Sequence, residues 1–408
     1  MTKNSVMPVE PNSMSDNPVQ PRRICVVATV PFALNVFMAP LIDALCGKFD
    51  FTLVANGGPG DLNSLLAGKT RFVPIRIERA IRLPADLVAL YELWRLCRKE
   101  RFDCVHSIMP KSGLLAMLAA RLAGVPLRIH TFTGQVWVTH QGAGRCLLKA
   151  MDRVLAACAT HCLADSHSQR EFLLSEGITR ADKLSVLAQG SVCGVDTVRF
   201  TPHRERRADI RSKHGIPEDA TVALYLGRLK RDKGMHELAA AFAHASKQDR
   251  NLYLLIVGPD EDALREQMAG MAGEAGGRLC FAGFSPEPEA YMAAADFFVM
   301  PSYREGFGST ILEAAACGVP SIGSRIYGLT DAIVEGQTGI LVPAGDAETL
   351  TGAMLRLAAD VGWRLWLGEL AMARALRDFP TKRLADALLQ YYQNGLKKER
   401  HPVMTTAK

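Results

Sequence analysis

The chain has 408 residues, of which 48% are hydrophobic and 22% charged, with a net charge of +6. That length exceeds one ordinary core and predicts two soluble domains, and the lack of any run of 18 apolar residues argues against a transmembrane helix. Ten cysteines without a C-x-x-C pair read as buried free thiols of a reducing compartment, the cytosol, rather than a disulfide or zinc framework.

Residues 1–21 carry scattered apolar residues among Pro, Asn and Ser; they read as a disordered arm, not a signal peptide. Short apolar strands then alternate with amphipathic helices. Strands are expected at Ile24–Val30, Phe51–Ala55, Phe72–Ile75, Cys104–Ser107, Leu127–Phe132 and His161–Ala164. Helices are expected at Leu83–Arg98 and Gly113–Ala123, the second burying Leu114, Leu118, Arg121 and Leu122. A charged linker, Thr201–Asp219, precedes a second set of strands at Ala223–Leu226, Tyr253–Val257, Leu279–Ala282, Phe297–Met300 and Ser321–Gly323. A helix at Lys382–Leu396 and a solvated tail, 397–408, end the chain. The alternation predicts an α/β protein of two doubly wound, Rossmann-like parallel-sheet domains, 22–200 and 201–380, facing across a cleft. Ligands are then expected on the loops that follow the strands.

Positive charge concentrates in the first 200 residues, notably at Arg71, Arg76, Arg79, Arg82, Arg95, Arg98, Lys99 and Arg101. Such a surface suits an anionic acceptor or an acidic membrane, and equally a solvated helix face. Nucleic acid is disfavoured because aromatic residues are not interleaved with the basic ones.

Two loops carry the chemistry. Gly227-Arg228 begins one, and Lys233-Gly234 closes it before a helical pattern. The two cations suit a diphosphate, and the glycines allow the turn. The second runs Glu305-Gly306-Phe307-Gly308-Ser309-Thr310-Ile311-Leu312-Glu313. Its glycines permit close approach to a ligand, the following helix offers amides to phosphate, and its carboxylates can accept paired bonds from sugar hydroxyls. Thr310 and Glu313 also have capping-box spacing, which by itself would account for Glu313. Asp260-Glu261-Asp262 reads as helix N-terminal acids rather than a metal site.

Together these loops resemble the paired signatures of the retaining glycosyltransferase family 4, over about residues 22 to 396. The resemblance implies the GT-B fold, with 22–200 on the acceptor side, 201–380 on the donor side, and helix 381–396 returning to the first domain. It implies that Arg228 and Lys233 grip the donor diphosphate, Glu313 binds ribose hydroxyls and Glu305 touches the transferred sugar. Gly283 and Phe284 would border the base, and backbone amides from Gly308 through Leu312 would cradle phosphate. No metal or other cofactor is implied. His130 is placed near the donor sugar by the same likeness, although it also reads as a core histidine within its strand. On the acceptor side Lys111, Thr133 and Gly134 are candidates; the first strand's loop, Val30 to Asn35, lacks the glycine pair common in the family.

Further likeness is to bacterial capsule and O-antigen enzymes. It implies a UDP-linked donor, a glycan or polyprenyl-diphosphate acceptor, and a cytoplasmic protein resting on the inner membrane face through the segment Arg79–Arg101. Alternatives are a GT-B nucleotide-sugar epimerase and a non-catalytic nucleotide-sugar-binding protein. An NAD oxidoreductase is disfavoured because no G-x-G-x-x-G follows Val30 or Leu226.

Overall fold

A computed structural model describes residues 21–398. The expected terminal arm and tail fall almost wholly outside the described residues.

β-Branched and aromatic runs of three to seven residues form two parallel sheets. The first contains β1 (Arg22–Val27), β2 (Phe49–Ala55), β3 (Arg71–Pro74), β4 (Cys104–Ile108), β5 (Leu127–Phe132), β6 (His161–Ala164) and β7 (Leu184–Val186). Their order is β3-β2-β1-β4-β5-β6-β7. The second contains β8 (Thr221–Leu226), β9 (Leu252–Val257), β10 (Leu279–Gly283), β11 (Phe297–Met300), β12 (Ser321–Ser324) and β13 (Gly339–Val342), ordered β10-β9-β8-β11-β12-β13. Helices cover both faces of each sheet, so the central strands are buried on both sides and read as near-continuous apolar runs. This is the GT-B architecture expected from the sequence. Strand order reverses between β1 and β4, and again between β8 and β11, opening a crevice at those strand ends. The two signature loops follow β8 and β11, flanking the second crevice.

Several boundaries differ from expectation. β1 stops at Val27 because Pro31 starts a helical turn that continues as a π-turn, Leu34–Met38. The strands β7, of only three residues, and β13 were not foreseen. Helix Pro110–Ala123 buries Leu115, Ala116, Met117, Ala119 and Ala120, while Leu122 is exposed. Leu114 and Leu118 are only half-buried, because neighbouring helices close on the small-residue side. The charged stretch after Phe200 is no linker. It forms helix Arg204–Lys213, whose Arg207 and Arg211 both pair with Asp296 at 2.7 Å. Asp296 also accepts a 2.7 Å bond from Val222 N, tying that helix to the start of β8.

The chain crosses between domains twice, side by side: Val195 N donates to Phe379 O at 2.9 Å, and Thr381 N to Val195 O at 3.1 Å. The last helix, Thr381–Lys398, then packs on helix Ala39–Leu45 of the first domain. Its Tyr392 hydroxyl meets His106 Nδ1 at 2.6 Å. Among the described residues no helix is long and apolar enough to cross a membrane.

Arg211 is 2% exposed, so removing its partner leaves a buried charge uncompensated. Asp296→Ala is expected to cost about 3–5 kcal/mol in urea denaturation. Tyr392→Phe, which removes one buried hydroxyl, is expected to cost about 1 kcal/mol.

Candidate active site

The loop after β8 and the loop after β11 are held together by backbone contact before any ligand is considered. Gly234 ends the first in the left-handed region, φ 72°, and a Cβ there would collide with the carbonyl of Pro301. Tyr303 N donates to Asp232 O at 3.0 Å. Arg304 pairs with Asp232 at 2.8 Å and reaches Gly134 O of the other domain at 3.3 Å.

Across this junction Lys233 Nζ meets Glu305 Oε1 at 2.5 Å, and Ser302 Oγ donates to the same oxygen at 2.9 Å. Both charged side chains are mostly shielded but retain access to the cleft. The cation expected at the phosphate and the carboxylate expected at the sugar therefore hold one another. Arg228 is likewise engaged, with Glu261 at 3.1 Å. Glu261 also faces Arg79 of the first domain, at 3.6 Å. The neighbouring acids are occupied by backbone: Asp260 accepts from Leu264 N and Arg265 N, and Asp262 from Arg231 N.

Gly308, at φ 82°, is the N-cap of helix Ser309–Ala316. Thr310 is therefore inside the helix, no capping box forms, and Glu313 needs another explanation. Ser309 and Thr310 carry the helix's first amides, ahead of any carbonyl within it. The Ile311 amide bonds Gly308 O at 2.9 Å, so the cradle expected from Gly308 through Leu312 is narrower than the sequence suggests. The side chains of Phe307, Ile311 and Leu312 are buried in the core. Burial pushes the Glu313 carboxyl up to about 7, with Arg199 opposing and Glu289 adding to the shift. Gly283 (φ 69°) and Phe284, which is 65% exposed, form the rim after β10.

Opposite stand Thr133 and Gly134, directly after β5. A Cβ on Gly134 would come within 3.1 Å of the Glu305 carbonyl carbon and 3.2 Å of Gly306 N. The strand puts His130 elsewhere. It is 1% exposed, bonded through Nδ1 to Ser107 Oγ at 2.9 Å, with Phe132 edge-on at 4.7 Å. Burial drives its imidazole down to about 3. This is a packed neutral histidine, and the sugar-contacting expectation is not matched by its position. Lys111 is paired with Asp86 at 2.6 Å and bonded to Ala80 O, a pairing about as shielded as that of Lys233 with Glu305.

Residues not foreseen complete the junction between domains. Asp331 accepts from His167 N and Ser168 N, both at 3.1 Å, so a carboxylate of the second domain caps helix His167–Ser175 of the first. Gly328 N donates to Ser168 Oγ at 2.8 Å. Tyr327 stacks on Phe172 at 4.4 Å, and Phe172 on Trp137 at 5.4 Å. Gly328 follows β12, a position that a strand-end rule picks out; the partners of Asp331 have no local signal.

Two domains of this fold, with cations, carboxylates and a helix N-terminus converging on one wall, define a GT-B glycosyltransferase. The family model "Glycosyl transferases group 1" matches residues 206–365, and a "Glycosyl transferase 4-like domain" matches 34–190. The chain is 30% identical to an Escherichia coli enzyme, the UDP-Gal:alpha-D-GlcNAc-diphosphoundecaprenol alpha-1,3-galactosyltransferase, over 77% of this chain and 81% of that one. It is 29% identical to the capsular polysaccharide biosynthesis glycosyltransferase CapM of Staphylococcus aureus, over 79% and 85% respectively. The protein belongs to the group 1 glycosyltransferase family. Anabaena HepE, solved with UDP and glucose, shares the fold with a TM-score of 0.77 at 16% identity, over 91% of this chain and all of that one.

The raised Glu313 carboxyl has a stability consequence. Its folded-state value lies above the ordinary 4.5, so stability is lost as pH rises from there through about 7. The neutral isostere Glu313→Gln is expected to have a higher urea midpoint than wild type at pH 8, the difference vanishing near pH 4.5.

Proposed function

We propose that this enzyme is a retaining, metal-independent transferase of a hexose or N-acetylhexosamine from a UDP-linked donor to a glycan or polyprenyl-diphosphate acceptor. The observation that carries the reading is the 2.5 Å Lys233–Glu305 pair beside the open end of helix Ser309–Ala316. As the anomeric C–O bond breaks, charge accumulates on the departing diphosphate. Lys233, Arg228 and the helix amides supply fixed positive potential there. Lys233 turned toward phosphate frees Glu305 to accept bonds from sugar hydroxyls, and Glu313 accepts from the ribose. The acceptor hydroxyl attacks from the face the diphosphate leaves, and its proton passes to a departing phosphate oxygen. Thr133 and Gly134 hold acceptor and sugar together on the other wall.

The UDP assignment is supported by the name of the E. coli relative and by the UDP bound to HepE. The lipid-linked acceptor is supported by the diphosphoundecaprenol substrate of the same relative. It is supported further by helix Leu83–Glu100, which exposes Leu83, Leu87 and Tyr91 at four-residue intervals beside Arg79 and Arg82. An apolar stripe with a basic border suits the inner, anionic face of a membrane, consistent with a cytoplasmic, peripheral protein.

Calorimetric titration with UDP, GDP and ADP in EDTA tests the donor site. UDP is expected to bind selectively, with Lys233→Ala and Glu313→Ala each weakening it roughly tenfold or more, the loss of one charge-assisted bond. Absence of binding by all three nucleotides would overturn the reading. Flotation with phosphatidylglycerol vesicles tests the membrane contact: wild type is expected to float and Leu83→Asp/Leu87→Asp to stay in the dense fraction. Failure of wild type to float would remove it.

A further inference from the structure

Asp165, one residue beyond β6, is a carboxylate for which the transfer reaction has no use. It is 4% exposed, and its buried Oδ1 has no hydrogen-bond partner. Its backbone is fixed from both sides: Asp165 N donates to Gln169 Oε1 at 2.7 Å, and Asp165 O accepts from Ser191 N at 2.6 Å. Oδ2 lies against Gly306 of the opposite domain, 2.5 Å from where a Cβ of that glycine would stand. Gly134 N is 3.0 Å from the same point. Ser166 Oγ donates to Gly306 O at 3.1 Å. The donor loop therefore forms the roof over Asp165, and parting the domains at this seam returns the carboxyl to water.

We propose that Asp165 is a positioning residue that governs domain closure: the seam shuts over its protonated carboxyl and is loosened when that group ionises in the open form. Closure is what brings Glu305 and Gly134 to the same sugar, so the effect on transfer is exerted through the loop rather than by contact with substrate.

The groups facing Asp165 do not offset a buried charge. On the crossing segment, the Cys193 thiol is held neutral, pushed up to about 12 mainly by burial. On the donor loop, Glu305 is paired with Lys233, and Arg304 with Asp232. Glu313 lies in the helix behind that loop, and on the adjoining helix start the charge is the Asp331 carboxylate held by the amides of His167 and Ser168. Burial alone pushes the Asp165 carboxyl from its ordinary 3.8 up to about 8. A group raised in the closed form favours closure fully below its open-form value. Closure then weakens by about tenfold per pH unit between the two values and levels off above the closed one.

Small-angle X-ray scattering of the ligand-free full chain from pH 5 to pH 9 tests this without reference to any donor. The wild-type radius of gyration is expected to grow between pH 5 and 8 and then level. Asp165→Asn, and Asp165→Ser as a second neutral variant, are expected to keep the pH 5 radius throughout. A wild-type radius unchanged across the window, or the same growth in either variant, would overturn the proposal. The wild-type curve alone decides against it even if neither variant folds. Absence of UDP binding, by contrast, would count against the donor reading and leave the closure measurement intact.

Discussion

Gly306 has no side chain, and two separate stretches of the protein close on the space where one would stand. Gly134 and Asp165 approach from the first domain. Gly328, in the same domain as Gly306, packs on the loop's backbone instead: a Cβ there would lie 2.5 Å from Gly306 O. Backbone meets backbone here, so the loop that carries Glu305 is one of the places where the two domains touch. A methyl group at Gly306 or Gly134 would press on the opposite domain.

Around that contact the charges are arranged in pairs. Lys233 holds Glu305, Arg228 holds Glu261, and Arg304 holds Asp232. Fully desolvated cations without partners would be costly, and cations fixed in strong buried pairs would be useless to a ligand. Partly shielded pairs at the cleft mouth avoid both outcomes. They balance charge within the cleft wall while leaving the cations partly reachable from solvent.

Away from the mouth the polar groups serve packing. His106 bonds Tyr392 and Thr131, His130 bonds Ser107, and both imidazoles are driven down to about 3 by burial. The Trp137 indole donates to Asp152 at 2.8 Å, and burial raises that carboxyl to about 6. The Trp137–Phe172–Tyr327 stack continues this packing across the domain boundary, so the junction is apolar at its flank and hydrogen-bonded at its centre.

The two-domain parallel architecture and the position of the two signature loops were legible in the residues alone. Alternating apolar runs and helical periodicity report which residues face a core, and glycine with charge after a strand reports a turn that meets a ligand; both are local properties. The sequence could not distinguish His130 on a packed strand from a histidine in a cleft, nor show that Lys111 already has Asp86. It mistook helix Arg204–Lys213 for a linker, because the partner that buries Arg211 is Asp296, far along the chain. Asp165, Asp331 and Tyr327 were illegible for the same reason. Their roles arise where one domain meets the other, and only the tertiary structure decides which backbone a buried carboxylate faces.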